Sequence, residues 1–441
     1  MEVIVVCLLL IFHIPLMNGE IQNLDVFSES RNVIMFEDFG FSKGGYISIS
    51  LSSVSISSKS TNPTNSSLMG FFYAPSPAFN ALEDALFNHS CILGKPFIFP
   101  IVTFNELSNS SLTSINRTIP ITSPDLYYVI FLNCAPETSI SMQVNLETYN
   151  LNPKGNKDFI DEHSIVSPAI GFSLSAVYFI FLMLWIYACY KNSRFVHRIH
   201  ILMMALLLIK SLELFFRDET QRFVRFTGTP HGWDILWLAL TFIRTLLFDI
   251  VFVLMGSGWS LLTPCLPDIQ KLVLALSVLM QMVVNICFIV LQGMGPLIEN
   301  YSYWVVTFYA VDFSCSMLIV FPVSHTIDNL RETSKTEGKE EISSFQLTLF
   351  CSIYICLQAY VYIEKLGIFI LRTFLSYNFW WVSVILEQAI EGGVYMVAFY
   401  TFRPNETNDY YVLEEGNGEE ELAPVSSMPT PVARRTSSLS F

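Results

Sequence analysis

The sequence predicts a membrane protein: a β-sandwich domain followed by an all-α bundle of seven spanning helices. Three observations predict it. The 441 residues are 52% hydrophobic and only 14% charged, with a mean hydropathy of +0.48, far more apolar than a water-soluble chain of this length tolerates. The first third alternates apolar and polar residues with the period of a half-buried strand. From Val166 onward there are instead apolar runs of roughly 18 to 25 residues, each long enough to cross a hydrocarbon core of about 30 Å.

The chain opens on MEVIVVCLLLIFHIPLMNG, a short apolar run that ends in small residues and is followed by polar sequence. This reads as a signal peptide over 1–19, which places residue 20 onward outside the cytosol. Residues 20–165 are rich in Ser and Asn. Tyr46–Ile56 alternates strictly, and shorter strand-like runs follow at Leu68–Tyr73, Phe97–Phe104, Leu126–Leu132 and Ile140–Tyr149, separated by Pro, Gly and Asn. These runs suit a compact sandwich, and Ala78–Phe87, with helical spacing, crosses between strands. The segment holds two cysteines, Cys91 and Cys134, and an oxidising compartment would join them in one disulfide. Sequons at Asn65, Asn88, Asn109 and Asn116 fit a glycosylated luminal or extracellular surface.

The seven apolar runs lie near 166–190, 199–216, 233–255, 272–291, 302–323, 346–370 and 379–402. With the N-terminus outside, Lys191, Arg194, Arg198, Lys271, Arg331, Lys335, Lys339 and Arg403 fall in the cytosol. Arg217, Arg222, Arg225 and Arg372 fall outside, so the bias follows the positive-inside rule. A further sequon at Asn300 would then be luminal. Residues 403–441 form a cytosolic tail whose Glu run, Glu414 to Glu421, reads as a solvated, disordered segment. The formal net charge of -14 excludes nucleic acid as a partner, because neutralising phosphates needs clustered Lys and Arg.

Five stretches carry a family resemblance: TGTPHGWD (Thr227–Asp234), GSGWSLL (Gly256–Leu262), FPV (Phe321–Val323), LRETSKTEGK (Leu330–Lys339) and FRPNETNDYYVL (Phe402–Leu413). Together with VIMFEDFGFSKGGYISISLSSVSI (Val33–Ile56), they make the chain resemble the lung seven-transmembrane receptor family, whose plant members are called candidate G-protein coupled receptors. The resemblance covers nearly all of the chain beyond the signal peptide. It implies a GOLD-like luminal sandwich on a seven-helix bundle, residence in Golgi or endosomal membranes, a part in cargo trafficking, and a possible G-protein partner. Where relatives carry basic residues in the sixth span, this chain has Cys351 and the Glu364, Lys365 pair.

Candidate site residues fall in three groups. In TGTPHGWD, the glycines and Pro230 suit a tight outer turn that docks the luminal domain, or His231 and Asp234 belong to a ligand clamp. Inside the bundle, ionisable groups cost several kcal/mol unless paired or wet. Lys210 and Glu213 are three apart on one helix, and Glu387 and Glu391 are four apart on the last span. With Arg244, these groups either pair between helices or line a polar cavity, and Lys210 and Glu387 are expected to lie deepest. In the tail, Tyr410, Tyr411 and Leu413 fit a tyrosine-based sorting signal read by adaptors, and Arg434 and Arg435 precede the phosphorylatable Thr436 and Ser437.

Enzyme chemistry has no motif to rest on, and no cofactor is implied. His197 and His200 share one helix end, but His231 belongs to the other side of the membrane and His325 stands alone, so three zinc ligands do not converge. GxSxG and GxxxxGK[ST] are both missing from the sequence. A ligand- or cargo-binding receptor of the secretory pathway is therefore the first expectation. The alternatives are a receptor signalling through a G-protein α subunit and a channel or transporter. For G-protein coupling the sequence offers LRETSKTEGKEE, which otherwise reads as a solvated connector, and it has neither the Asp-Arg-Tyr triplet nor the NPxxY of rhodopsin-like receptors.

Overall fold

A computed structural model describes residues 21–58, 66–88, 90–109, 114–135, 137–161, 167–257, 268–294, 301–337, 340–375 and 379–404. The signal peptide, Asn65, Asn300 and the tail residues Tyr410, Tyr411 and Leu413 lie outside the described residues.

Among the described residues, the first domain has nine strands in two antiparallel sheets. One sheet has the order β1 (Ile21–Glu29), β8 (Thr138–Leu151), β3 (Gly45–Ser58), β6 (Ser114–Ile121), with the short β9 (Lys157–Asp158) also pairing β8. The other has the order β2 (Val33–Phe41), β7 (Asp125–Asn133), β4 (Met69–Pro75), β5 (Phe99–Thr103). The alternation read in Tyr46–Ile56 has its expected consequence. Ile47, Ile49 and Leu51 of β3 point inward with Val144 and Leu146 of β8 and meet Phe39, Phe71 and Phe131 of the second sheet in one core.

The helical segment is α1 (Phe79–Phe87), entered through a single tight turn at Ser76–Ala78 that begins after Pro75. It covers the outer face of the second sheet, where Leu82 and Ala85 pack with Phe72, Ile130 and Leu132. A second short helix, α2 (Phe104–Asn109), precedes β6. The expected disulfide is present. Cys91 and Cys134, with Cα atoms 5.5 Å apart, tie the segment after α1 to the end of β7. Sequence patterning missed β1, β2 and β6 as strands, since Asn, Asp, Glu and Pro interrupt their apolar positions.

The second part is helical: α3 (Ser167–Lys191), α4 (Arg198–Thr227), α5 (Trp233–Gly256), α6 (Asp268–Met294), α7 (Tyr301–Glu337), α8 (Glu340–Tyr360), α9 (Ile368–Phe374) and α10 (Trp380–Thr401). Among the described residues, six helices are long and apolar enough to cross a membrane, and the remaining expected span, 302–323, lies inside α7. The sixth span is one rod from α8 to α9, joined by a π-helical turn at Val361–Gly367 that holds Glu364.

Two boundaries differ from the sequence reading. The second span was expected to end at 216, but α4 runs on to Thr227, and the connector after the fifth span is helical through Glu337. Hydropathy stops at charged residues, whereas Arg, Glu, Gln and Lys remain good helix formers outside the membrane.

Candidate functional site

α4 organises the bundle. Its thirty residues contain neither Gly nor Pro, and at 1.5 Å per residue they make an uninterrupted rod about 45 Å long. It holds partners at three levels.

The middle level is a closed ring of charges. Lys210 and Glu213 of α4, three residues apart, bring Nζ within 3.5 Å of Oε2. Lys210 Nζ lies 2.7 Å from Glu391 of α10, Glu391 lies 3.1 Å from Arg244 of α5, and Arg244 Nε lies 2.7 Å from Glu213. Two cations and two carboxylates therefore alternate around one circuit. Thr241, one turn before Arg244, donates to Glu213 at 3.2 Å, and the Tyr178 ring lies 5.8 Å from Lys210 Nζ.

Lys210 is 2% exposed and Glu391 4%, while Arg244 is partly buried, and each member neutralises a neighbour that would otherwise be costly in low dielectric. Of the two last-span carboxylates the sequence reading favoured Glu387, but Glu391 closes the ring and Glu387 is only half-buried, one turn earlier. Four-residue spacing placed both on one face without saying how α10 is rotated. Gly392 beside Glu391 contributes close approach, because a Cβ there would meet the Tyr178 hydroxyl at 3.3 Å.

The upper level is the TGTPHGWD turn, which receives the β-sandwich. Ile21 N–H donates to the Gly228 carbonyl at 3.2 Å, and Phe159 N–H donates to the Arg225 carbonyl at 3.1 Å. The Arg225 guanidinium holds Asp158 Oδ2 through two nitrogens, at 2.9 and 3.2 Å. Gly228 ends α4 with φ +74°, and a Cβ at that position would meet the Ile21 side chain at 2.5 Å, so both backbone and space demand glycine. The docking turn expected from the sequence is thus present.

His231 and Asp234 do not converge there. His231 is exposed and its Nδ1 lies 3.1 Å from the Thr229 hydroxyl, whereas Asp234 is buried in the first turn of α5, where a carboxylate suits the helix N-terminus. Trp233 stacks on Phe216 and Phe223 of α4 instead of facing the turn. Asp158, Phe159 and Arg225 were not found from sequence. Asp158 ends a two-residue strand too short to show a period, and Arg225 was read only as a cation on the outer side.

The lower level faces the tail. The buried His200 ring accepts the His197 N–H at Nδ1, 2.9 Å, which leaves Nε2 to donate to the Phe402 carbonyl at 2.9 Å. Asn192, in the α3–α4 connection, donates to the Pro404 carbonyl at 2.9 Å. With both His200 nitrogens engaged by backbone, the ring serves to hold the end of α10, and it has no lone pair left for a metal.

Residues 22–150 match the CAND6/7 N-terminal domain, and residues 168–409 match the GOST seven transmembrane domain. The chain is also 34% identical over 411 residues, 92% of its own length and 95% of the relative's, to the Arabidopsis thaliana protein called Candidate G-protein coupled receptor 6.

Proposed function

The chain belongs to the GOST seven-transmembrane family of receptor-like membrane proteins, and from that premise we propose that it is a secretory-pathway receptor. In this reading the sandwich is a GOLD-like luminal domain that selects a ligand or cargo, and the tail sets the compartment, Golgi or endosome. One observation carries the proposal. α4 touches the sandwich at Arg225 and Gly228, the ionic ring at Lys210 and Glu213, and the root of the tail through His200. A stiff helix with those three attachments is suited to passing occupancy of the first domain to the other side of the membrane.

The name of the Arabidopsis relative favours a second reading, signalling through a heterotrimeric G protein. A channel or transporter is favoured less, since Lys210, Arg244 and Glu391 contact one another where a permeant would need them free.

The test is the location of the full-length protein, tagged in the tail beyond Glu421 and expressed at native level, beside a Tyr410→Ala, Leu413→Ala variant. The wild type is expected at the Golgi or endosomes and the variant at the cell surface. If both sit at the surface, the trafficking reading fails and signalling takes its place.

A further inference from the structure

The outward face of the β1–β8–β3–β6 sheet is made of short, mostly uncharged hydrogen-bonding side chains. One register row across it reads Asn23, Asn145, Ser50, Asn116. On either side of that row, the hydroxyls of Ser48 and Thr118 lie 3.0 Å apart and Ser52 donates to Gln143 at 3.3 Å. Within the row, Asn145 donates to Asn23 at 2.5 Å.

Being polar does not by itself distinguish this surface, since any solvated sheet face is polar. Its residue types do. Asn is a poor strand former whose side chain competes for backbone hydrogen bonds, so three of them in one row weaken the sheet unless something engages them. Short Ser and Asn side chains also leave a flat shelf with amides and hydroxyls pointing outward, the chemistry that binds sugar hydroxyls.

Asn116 belongs to that shelf and is also the acceptor of the sequon Asn116-Arg117-Thr118. It is exposed on β6, an edge strand, with Thr118 two residues on and therefore on the same face. The geometry points to an N-linked glycan on Asn116 whose first sugars lie back across the shelf, held by Ser50, Asn145, Ser52 and Gln143.

The donor is a lipid pyrophosphate-linked oligosaccharide. A bond forms from Asn116 Nδ2 to the anomeric carbon of the first sugar, the anomeric carbon–oxygen bond breaks, the lipid pyrophosphate leaves and one amide proton is released. From the edge position the tethered sugar meets Ser50 of β3 first and Asn145 of β8 beyond it, and its bulk guards a sheet edge against pairing with another chain. This inference rests on the luminal reading of the first domain, so its test carries a control for that reading.

The full-length chain, made in a eukaryotic secretory system, is treated with an amidase that releases Asn-linked glycans. Asn116→Gln is expected to lose one glycan-sized step in mobility, as is Asn88→Gln, whose acceptor is exposed at the end of α1. In the native wild type, the Asn116 glycan is expected to be released several-fold more slowly than the others. That difference should vanish on denaturation and in a Ser50→Ala, Asn145→Ala variant. If Asn88→Gln loses a step and Asn116→Gln does not, the inference fails while the luminal reading stands. If neither loses a step, both fail. Equal native release rates would mean an attached glycan that ignores the shelf, which also overturns the inference.

Discussion

Replacing Glu391 by Gln is expected to destabilise the bundle by about 3–5 kcal/mol, the cost of leaving a buried charge without its partner. The geometry explains the size. Glu391 is the carboxylate that both Lys210 and Arg244 reach, at 2.7 and 3.1 Å, so its loss leaves two cations sharing Glu213 alone. Each of the four groups sits near the middle of its helix, far from either end.

A second variant separates pairing from packing. Lys210→Met combined with Glu391→Gln removes one charge of each sign and leaves the Arg244–Glu213 pair intact, so it should recover most of the lost stability. Thermal unfolding of the purified protein in detergent checks both. A Glu391→Gln protein as stable as the wild type would mean that the ring is wet and screened, and its structural role would be withdrawn.

Removing the disulfide should have an effect of similar size in the first domain. Cys91 and Cys134 are 43 residues apart, and closing a loop of that length restricts the unfolded chain by about 4 kcal/mol at 25 °C in the chain-entropy account. The bridge also fastens the segment carrying Ile92 and Leu93, which seals the outer core under α1. A Cys91→Ser, Cys134→Ser variant is therefore expected to expose that core, with rapid proteolysis within the first 161 residues and little change in the helices. Native protein whose first domain resists protease equally well before and after reduction would contradict this.

The parts of the fold that were legible in the sequence have strong periods. β3 could be read residue by residue because Ile47, Ile49 and Leu51 alternate with serines, and α1 because Ala78–Phe87 repeats at helical spacing. Spans were legible as apolar length, but their ends were not. The α4 extension to Thr227 obeys helix propensity, to which a hydropathy window is blind. Edge strands β1 and β6 were lost because one of their faces is polar by design and Pro120 sits in the latter.

For the site, Lys210 with Glu213 was readable as a local pair on one helix. Arg244 and Glu391 were readable as costly groups, and pairing of the last-span glutamates with Lys210 or Arg244 was one of two open readings. Which carboxylate on α10 answers Lys210 depends on how three helices are rotated, and the Arg225–Asp158 contact joins residues 67 apart in sequence. Neither leaves a trace in a single chain's local pattern.

The central claim is that α4 joins the first domain to the root of the tail as one rod, and amide hydrogen exchange on the full-length protein tests it most directly. Arg225→Ala removes the hold on Asp158, while Gly228→Ala breaks the same joint by collision with Ile21 and leaves every charge in place. Exchange would be compared in peptides covering 155–161 and 396–404, with Asp25→Asn, an exposed residue four positions along β1 from Ile21, as the control. The account predicts that both joint variants raise exchange in both peptides and that the control raises it in neither. Faster exchange confined to 155–161 would show that the joint opens without the tail root responding, and the coupling through α4 would be refuted.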